Sequence, residues 1–313
     1  MTRRWGAIAA ASALALGLAA CAPTAEEPTD DGAATEWPEE IVLGLVPSQE
    51  VDQLVLDAEV LGDLLSEELG ITVRAEVTDS YNALVVAMQS GQAAIGMFGP
   101  IALVQAADQA GAEPILQSVR FGSSTYVTQW FTNDPDRFCE TEVVLDAESG
   151  PVGESALALI EQDEAISFVD EGSASGYYYP ATQLEEAGLD PFALSGSFFA
   201  GGHPNSVLSV ARGDATVGVS FNDARGNVVE ELPTVGEDVV VFAWSTAIPN
   251  DGVAVAGDLP QDLKDAITEA FLAIADSEEG LAALDAVYSI EGLVPADLDA
   301  LDAARQVEAN FGE

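Results

Sequence analysis

The chain has 313 residues, 48% of them hydrophobic, with 54 acidic against 9 basic side chains and a formal net charge of −45. At roughly 100–200 residues per domain that length suggests two lobes, and with Lys264 the sole lysine no basic patch exists for nucleic acid to bind. One histidine, His203, and two cysteines argue against a zinc centre or a disulfide framework, so neither metal nor cofactor is expected.

Arg3 and Arg4 precede an apolar run, Trp5 to Leu18, shorter than the roughly 20 residues a spanning helix needs. Leu18-Ala19-Ala20-Cys21 then sets small residues before a cysteine, the pattern of an export signal. Its end resembles the lipobox of bacterial lipoproteins, in which the cysteine is acylated and becomes the mature N-terminus. Residues 1–21 are expected to be this signal and Cys21 the lipidation site, with an ordinary secretory signal or a membrane anchor as alternatives. Losing Arg3 and Arg4 with the signal would bring the charge to −45 − 2 = −47. Residues 22–38 hold Pro, Thr, Ala and acid with little to bury, and read as a flexible tether. Cys139 is then left without a partner, as a partly buried structural thiol.

Ile41 to Val46 reads as a buried strand. Val51 to Leu69 carries apolar residues at Val51, Leu54, Val55, Ala58, Leu61, Leu64 and Leu65, close to helical spacing, and Gly70 ends it. A strand at 71–77, a helix at 81–90, a strand at 94–98 and a helix at 101–110 follow. This alternation predicts a parallel sheet with helices on its faces. Ser123 to Thr132 is β-rich and leaves the first unit. The second unit reads as strands at 165–169, 196–200 and 216–220 with helices at 177–187 and 204–212. Strands at 238–244 and 252–255 return the chain, and helices at 261–275, 278–288 and 295–311 close it. The expected fold is α/β, two Rossmann-like lobes with a hinge and a ligand cleft between them. Lobe 1 takes residues 39–130 plus 238–313 and lobe 2 takes 131–237.

Ligands of open parallel sheets sit at the carboxyl ends of strands. That rule selects the turns Pro47-Ser48-Gln49, Asp79-Ser80-Tyr81, Phe98-Gly99-Pro100, Glu171-Gly172-Ser173-Ala174-Ser175-Gly176, Gly201-Gly202-His203 and Phe221-Asn222-Asp223. The serine turn is the most informative. It aims two hydroxyls and free N–H groups at one point, at the positive end of a helix. Such a turn holds a tetrahedral oxyanion without lysine or arginine, although serine is also an ordinary helix cap.

The order SASGYYYP (173–180), GGHPNSVLSVARGDATVGVSFND (201–223) and TAIPNDGVAV (246–255) before a helical tail resembles the phosphonate/phosphite/phosphate-binding proteins of ABC importers. The resemblance spans roughly Ile41 to Ala275. It implies a type II periplasmic binding fold and a monomeric, lipid-anchored solute receptor on the extracytoplasmic face of the membrane. The partners it implies are the permease subunits, the membrane through the lipid on Cys21, and a small oxyanion. By the same resemblance Ser173, Ala174, Ser175, Gly176 and Tyr177 hold the phosphonyl oxygens and His203 joins them. Tyr81, Tyr126 and Ser48 are the first-lobe candidates. Asp223 stands where relatives that take aminoalkyl phosphonates place an acid for the ammonium, with helix capping as its alternative role.

Three departures are visible. Ala174 replaces a frequent hydroxyl residue, the Cys139–Glu164 segment is longer and more acidic than usual, and Ile101-Ala102-Leu103 lacks an aromatic. A receptor for another anion, a sulfonate or an organic acid, is one alternative. An enzyme is another, with Ser173 or Ser175, His203 and Asp223 as a triad, although no Gly-x-Ser-x-Gly elbow is present.

Overall fold

A computed structural model describes residues 37–139 and 153–311. The expected signal, Cys21, residues 22–36 of the tether and the middle of the acidic segment lie outside the described residues. The last tether residues do not behave as tether: Trp37 packs on the first core and its Nε1 donates to Asp262 Oδ2 at 3.0 Å.

In chain order the first part runs β1 (Glu40–Leu45), α1 (Val51–Leu69), β2 (Thr72–Val77), α2 (Tyr81–Gln89), β3 (Ile95–Phe98), α3 (Pro100–Ala110), β4 (Glu113–Val119) and β5 (Thr125–Tyr126). Next come β6 (Thr128–Thr132), α4 (Pro135–Phe138), β7 (Ile166–Phe168), α5 (Tyr179–Glu186), β8 (Phe198–Phe199), α6 (His203–Arg212) and β9 (Val217–Phe221). The rest is α7 (Val235–Asp238), β10 (Val240–Trp244), β11 (Ile248–Pro249), β12 (Gly252–Val255), α8 (Gln261–Ala275), α9 (Glu278–Tyr288), β13 (Gly292–Pro295) and α10 (Leu298–Ala309).

The first sheet has the order β13-β4-β12-β3-β1-β2. The three strands β2, β1 and β3 are parallel, as the alternation with helices predicts, and β1 is a nearly continuous buried run, as a strand covered on both faces should be. The sheet as a whole is mixed, because β12 runs antiparallel to both β3 and β4 and β13 antiparallel to β4. Neither β4 nor β13 stands out in the sequence: β4 mixes a proline with polar residues, and β13 is only Gly-Leu-Val-Pro. Helices α1, α8 and α9 pack together, and α10 packs on α3.

The second sheet has the order β10-β6-β9-β7-β8. Successive residues of β6 feed opposite cores, Phe131 with α6 residues Val207 and Val210, Trp130 with Leu184 of α5, which follows from the period-two geometry of a strand. The expected lobe limits at 130/131 and 237/238 need correction, since β6 and β10 pair with each other inside this sheet. The crossings fall instead at β5 and β11, which form their own two-stranded ribbon. A limit at 130/131 would cut through β6, whose pairing with β10 and β9 runs to Thr132.

The helix after the serine turn also starts differently from expectation. Ala174–Tyr178 form a π-helical turn that passes into α5. Pro180 lacks an N–H and its ring clashes with a carbonyl four residues back. The chain answers with i→i−5 bonds, Tyr178 N to Ser173 O at 3.1 Å and Tyr179 N to Ala174 O. Among the described residues no helix is long and apolar enough to cross a membrane.

Candidate ligand-binding site

A cavity lies at the strand ends of the two sheets, lined by Val46, Ser48, Gln49, Tyr81, Gly99, Arg120, Tyr126, Ser173, Ala174, Ser175, His203, Phe221, Asp251 and Tyr288. Each of the six strand-end turns selected from the sequence contributes at least one of these residues. Helices α2, α3, α6 and the π-turn all begin here, at Tyr81, Gly99–Pro100, His203 and Ser173–Ala174. Neither α3 nor α6 has a side-chain cap. Helix N-termini that converge on one point turn their positive dipole ends and N–H groups toward it, an arrangement suited to an anion.

Ser173 is both a cap and a wall residue. Its Oγ accepts the Gly176 N–H at 3.1 Å, while Ala174 and Ser175, the first residues of the turn, line the cavity with N–H groups that have no intrahelical acceptor. Gly176 is not in the wall. Its N–H is taken by Ser173, and a Cβ there would fall 2.4 Å from Val169 Cβ, so only glycine allows the turn to pack on its own strand. Gly172 plays a similar part between the lobes: a Cβ would lie 2.5 Å from Tyr81 Cβ.

His203 is buried, with Nδ1 2.7 Å from Ser220 Oγ and Nε2 3.5 Å from the Tyr81 hydroxyl. Burial, helped by the Arg120 charge, lowers its pKa to about 3, so the ring is neutral at physiological pH. Its N–H donates to Ser48 O at 3.1 Å, a backbone bond across the cleft. Burial likewise drives the Tyr81, Tyr126 and Tyr288 hydroxyls above their ordinary values, with the nearby Asp251 charge adding to it. These phenols remain neutral.

Tyr177 and Asp223 do not reach the cavity. The Tyr177 ring packs edge-on against Phe168 at 5.3 Å and Phe199 at 5.1 Å. Tyr178 turns the other way and accepts from Gln105 Nε2 at 3.2 Å, and Tyr179 is buried in the first core. Asp223 caps the 3₁₀ turn at Ala224–Val228 and chelates Arg225, at 3.0 Å to Nε and 2.7 Å to Nη2. Burial would raise its pKa, but the Arg225 bonds outweigh that and hold it low. A Ser–His–Asp triad is therefore not assembled: the His203 ring faces Ser220, and Asp223 faces Arg225. No group of His, Cys, Asp and Glu that would hold a metal occurs among the described residues. Cys139 is a half-buried free thiol whose pKa burial raises.

Sequence reasoning missed Arg120, Asp251 and Tyr288. Arg120 is 5% exposed, stacks on the Phe221 ring with Cζ 4.8 Å from its centroid, and leaves Nε without a hydrogen-bond partner. The serine turn needs no arginine to hold an oxyanion, yet Arg120 lines the same cavity. Arg120 follows the unrecognised strand β4, so the strand-end rule was never applied to it. Asp251, 3.6 Å from Arg120 Nη1, precedes β12. Because β12 is antiparallel, its beginning lies at the edge where the parallel strands end. Tyr288 ends α9 and donates to Val46 O at 2.7 Å.

The family described as "ABC transporter, phosphonate, periplasmic substrate-binding protein" matches residues 43–301. A phosphate-import protein, PhnD, of Mycolicibacterium smegmatis is 24% identical over 268 residues, 80% of this chain and 76% of that one. Among solved structures, the binding-protein component of a Pseudomonas aeruginosa ABC phosphonate transporter superposes with a TM-score of 0.74 at 19% identity, covering 86% of this chain and 85% of that one. PhnD1 of Prochlorococcus marinus in complex with methylphosphonate gives 0.73 at 18% identity, covering 88% and 98%. The fold is that of type II periplasmic binding proteins, and the chain belongs to the family of periplasmic substrate-binding proteins of phosphonate ABC transporters.

Proposed function

We propose that this chain, held by a lipid on Cys21 at the extracytoplasmic face of the membrane, closes its two lobes around one small tetrahedral phosphorus oxyanion and delivers it to the permease. The observation that carries the ligand class is the lining of the cavity, in which Ser48, Tyr81, Tyr126, Ser173, Ser175 and Arg120 bring hydroxyls and a guanidinium together with the backbone N–H groups of the serine turn. Phosphate, phosphite and methylphosphonate present the compact set of oxygens that such donors hold. The amine-recognising role considered for Asp223 loses its support, since Arg225 already neutralises that carboxylate. The relatives named for phosphate import and solved with methylphosphonate point to the same ligands.

Thermal melting with phosphate, phosphite, methylphosphonate, 2-aminoethylphosphonate and taurine tests the reading. A ligand at a hundred times its Kd adds about 2.7 kcal/mol, which raises Tm by several degrees in a protein of this size. The first three are expected to do so and the last two to do much less. No shift with any phosphorus compound would falsify the proposal. For the anchor, Cys21→Ser is expected to move the protein from the membrane fraction to the soluble one, and an unchanged distribution counts against lipidation.

A further inference from the structure

Arg120 differs from every other described cation. Arg74, Arg137, Arg212, Arg225, Lys264 and Arg305 each hold a carboxylate oxygen within 3.3 Å. Arg120 stands 3.6 Å from Asp251, outside hydrogen-bonding distance, and its buried Nε is unpartnered. Guanidinium and carboxylate therefore both keep capacity for a third body. Both line the cavity, and the Asp251 side chain is only one-fifth exposed.

Asp251 is the one acidic residue in a wall that also holds Arg120 and several hydroxyls. Beside a bound anion it sets two negative charges within contact distance, which costs several kcal/mol at the effective dielectric of a protein site. Like-charged oxygens that close share one proton. Burial pushes the Asp251 carboxyl up, with the Arg120 charge opposing that, which makes it the better acceptor for a shared proton, while the other titratable groups facing it supply none and carry no negative charge. Tyr81 at the start of α2, Tyr126 on β5 and Tyr288 at the end of α9 are neutral, and His203 at the start of α6 is held unprotonated by burial. Tyr288 already donates to Val46 O.

We propose that Arg120 and Asp251 act as a matched donor–acceptor pair that makes the cavity selective for oxyanions able to share one proton, Arg120 holding ionised oxygens and Asp251 accepting the ligand O–H. The inference rests on the oxyanion-receptor reading above and narrows it. Hydrogenphosphate and singly protonated phosphonates satisfy Asp251. Sulfate and sulfonates, of similar size and shape, carry no proton at neutral pH and leave the carboxylate facing a bare oxygen. Sites built around a ligand hydroxyl reject analogues lacking it by about 10⁴-fold, so a preference of at least about a hundredfold is expected here.

Calorimetric titration of the wild-type protein and Asp251→Asn with inorganic phosphate, methylphosphonate, sulfate and methanesulfonate decides it. The wild type should prefer phosphate over sulfate by at least about a hundredfold, and Asp251→Asn should shrink that ratio at least tenfold. A second readout needs no variant. Above the second ionisation of methylphosphonate, wild-type affinity should fall tenfold per pH unit with uptake of one proton. Equal affinity for phosphate and sulfate, an unchanged ratio in a folded Asp251→Asn, or methylphosphonate binding without proton uptake would each overturn the pair's role while leaving the receptor function standing. Failure of every phosphorus oxyanion to bind wild type would overturn that function and this selectivity together.

Discussion

The two walls of the cavity use different chemistry. The wall from the second sheet offers Ser173, Ala174, Ser175 and His203, all neutral, with donors fixed by a short motif and by helix starts. The opposite wall offers Ser48, Tyr81 and the charged residues Arg120 and Asp251, brought from positions more than a hundred residues apart in the chain. A neutral wall of N–H and O–H groups is tolerant, since losing one donor leaves the rest in place. A charged pair is not tolerant, because removing either member leaves the other buried and uncompensated. Affinity should therefore be spread across the first wall described and concentrated in the second.

The sharpest way to break that contrast is to cut one residue from each wall. Truncating one partner of a buried charge-to-charge contact with a ligand costs about 2–5 kcal/mol, so Arg120→Met, which removes the guanidinium from the phosphate, is expected to weaken phosphate binding by about thirtyfold or more. Ser175→Ala removes one neutral hydroxyl, worth about 1 kcal/mol, and should weaken binding by less than about tenfold. Calorimetric Kd values for both variants are the measurement. Equal losses would show that the walls share the ligand evenly.

The same contrast explains what the sequence reveals. The neutral wall is legible because its residues are contiguous: Ser173 to Ser175 lie in one turn, and His203 opens the next helix but one. The predicted helices at 51–69, 261–275 and 278–288 match α1, α8 and α9 end to end, because apolar spacing reports a helix face directly. The charged wall depends on tertiary pairing. β4 is EPILQSV, with a proline and two polar residues, so no periodicity announces the strand that delivers Arg120. Asp251 is hidden by direction, since only the antiparallel pairing of β12 with β3 reveals that its start faces the ligand. Tyr177 was misplaced for a smaller reason: the π-turn shifts the helical phase, sending that ring into the Phe168–Phe199 cluster.

A smaller effect tests whether the neutral wall is neutral. His203 has a folded pKa of about 3 against an ordinary 6.5, so between those values the unfolded chain binds a proton that the folded chain does not. Stability from this source is complete above about pH 6.5 and falls by about 1.4 kcal/mol per pH unit as pH drops toward 3. His203→Gln keeps a polar side chain without the titration. Its stability should decline less steeply than wild type across pH 6 to 4 in denaturant melts. Parallel slopes would mean that the ring is protonated in the folded protein, and the wall charged.

The smallest expected effect concerns approach, where the charged wall competes with the whole surface. A net charge of −45 repels an incoming anion over a Debye length of about 30 Å at 10 mM salt but only about 8 Å at 0.15 M. Once the ligand is inside, donors at hydrogen-bonding distance act almost unscreened. Stopped-flow association of phosphate should therefore speed up a few-fold between those salt concentrations, with the dissociation rate nearly constant. A fall in association rate with salt would reverse the ranking of the two fields. It would mean that the local attraction of Arg120 at the cavity governs capture, and that the acidic surface is too far from the mouth to oppose it.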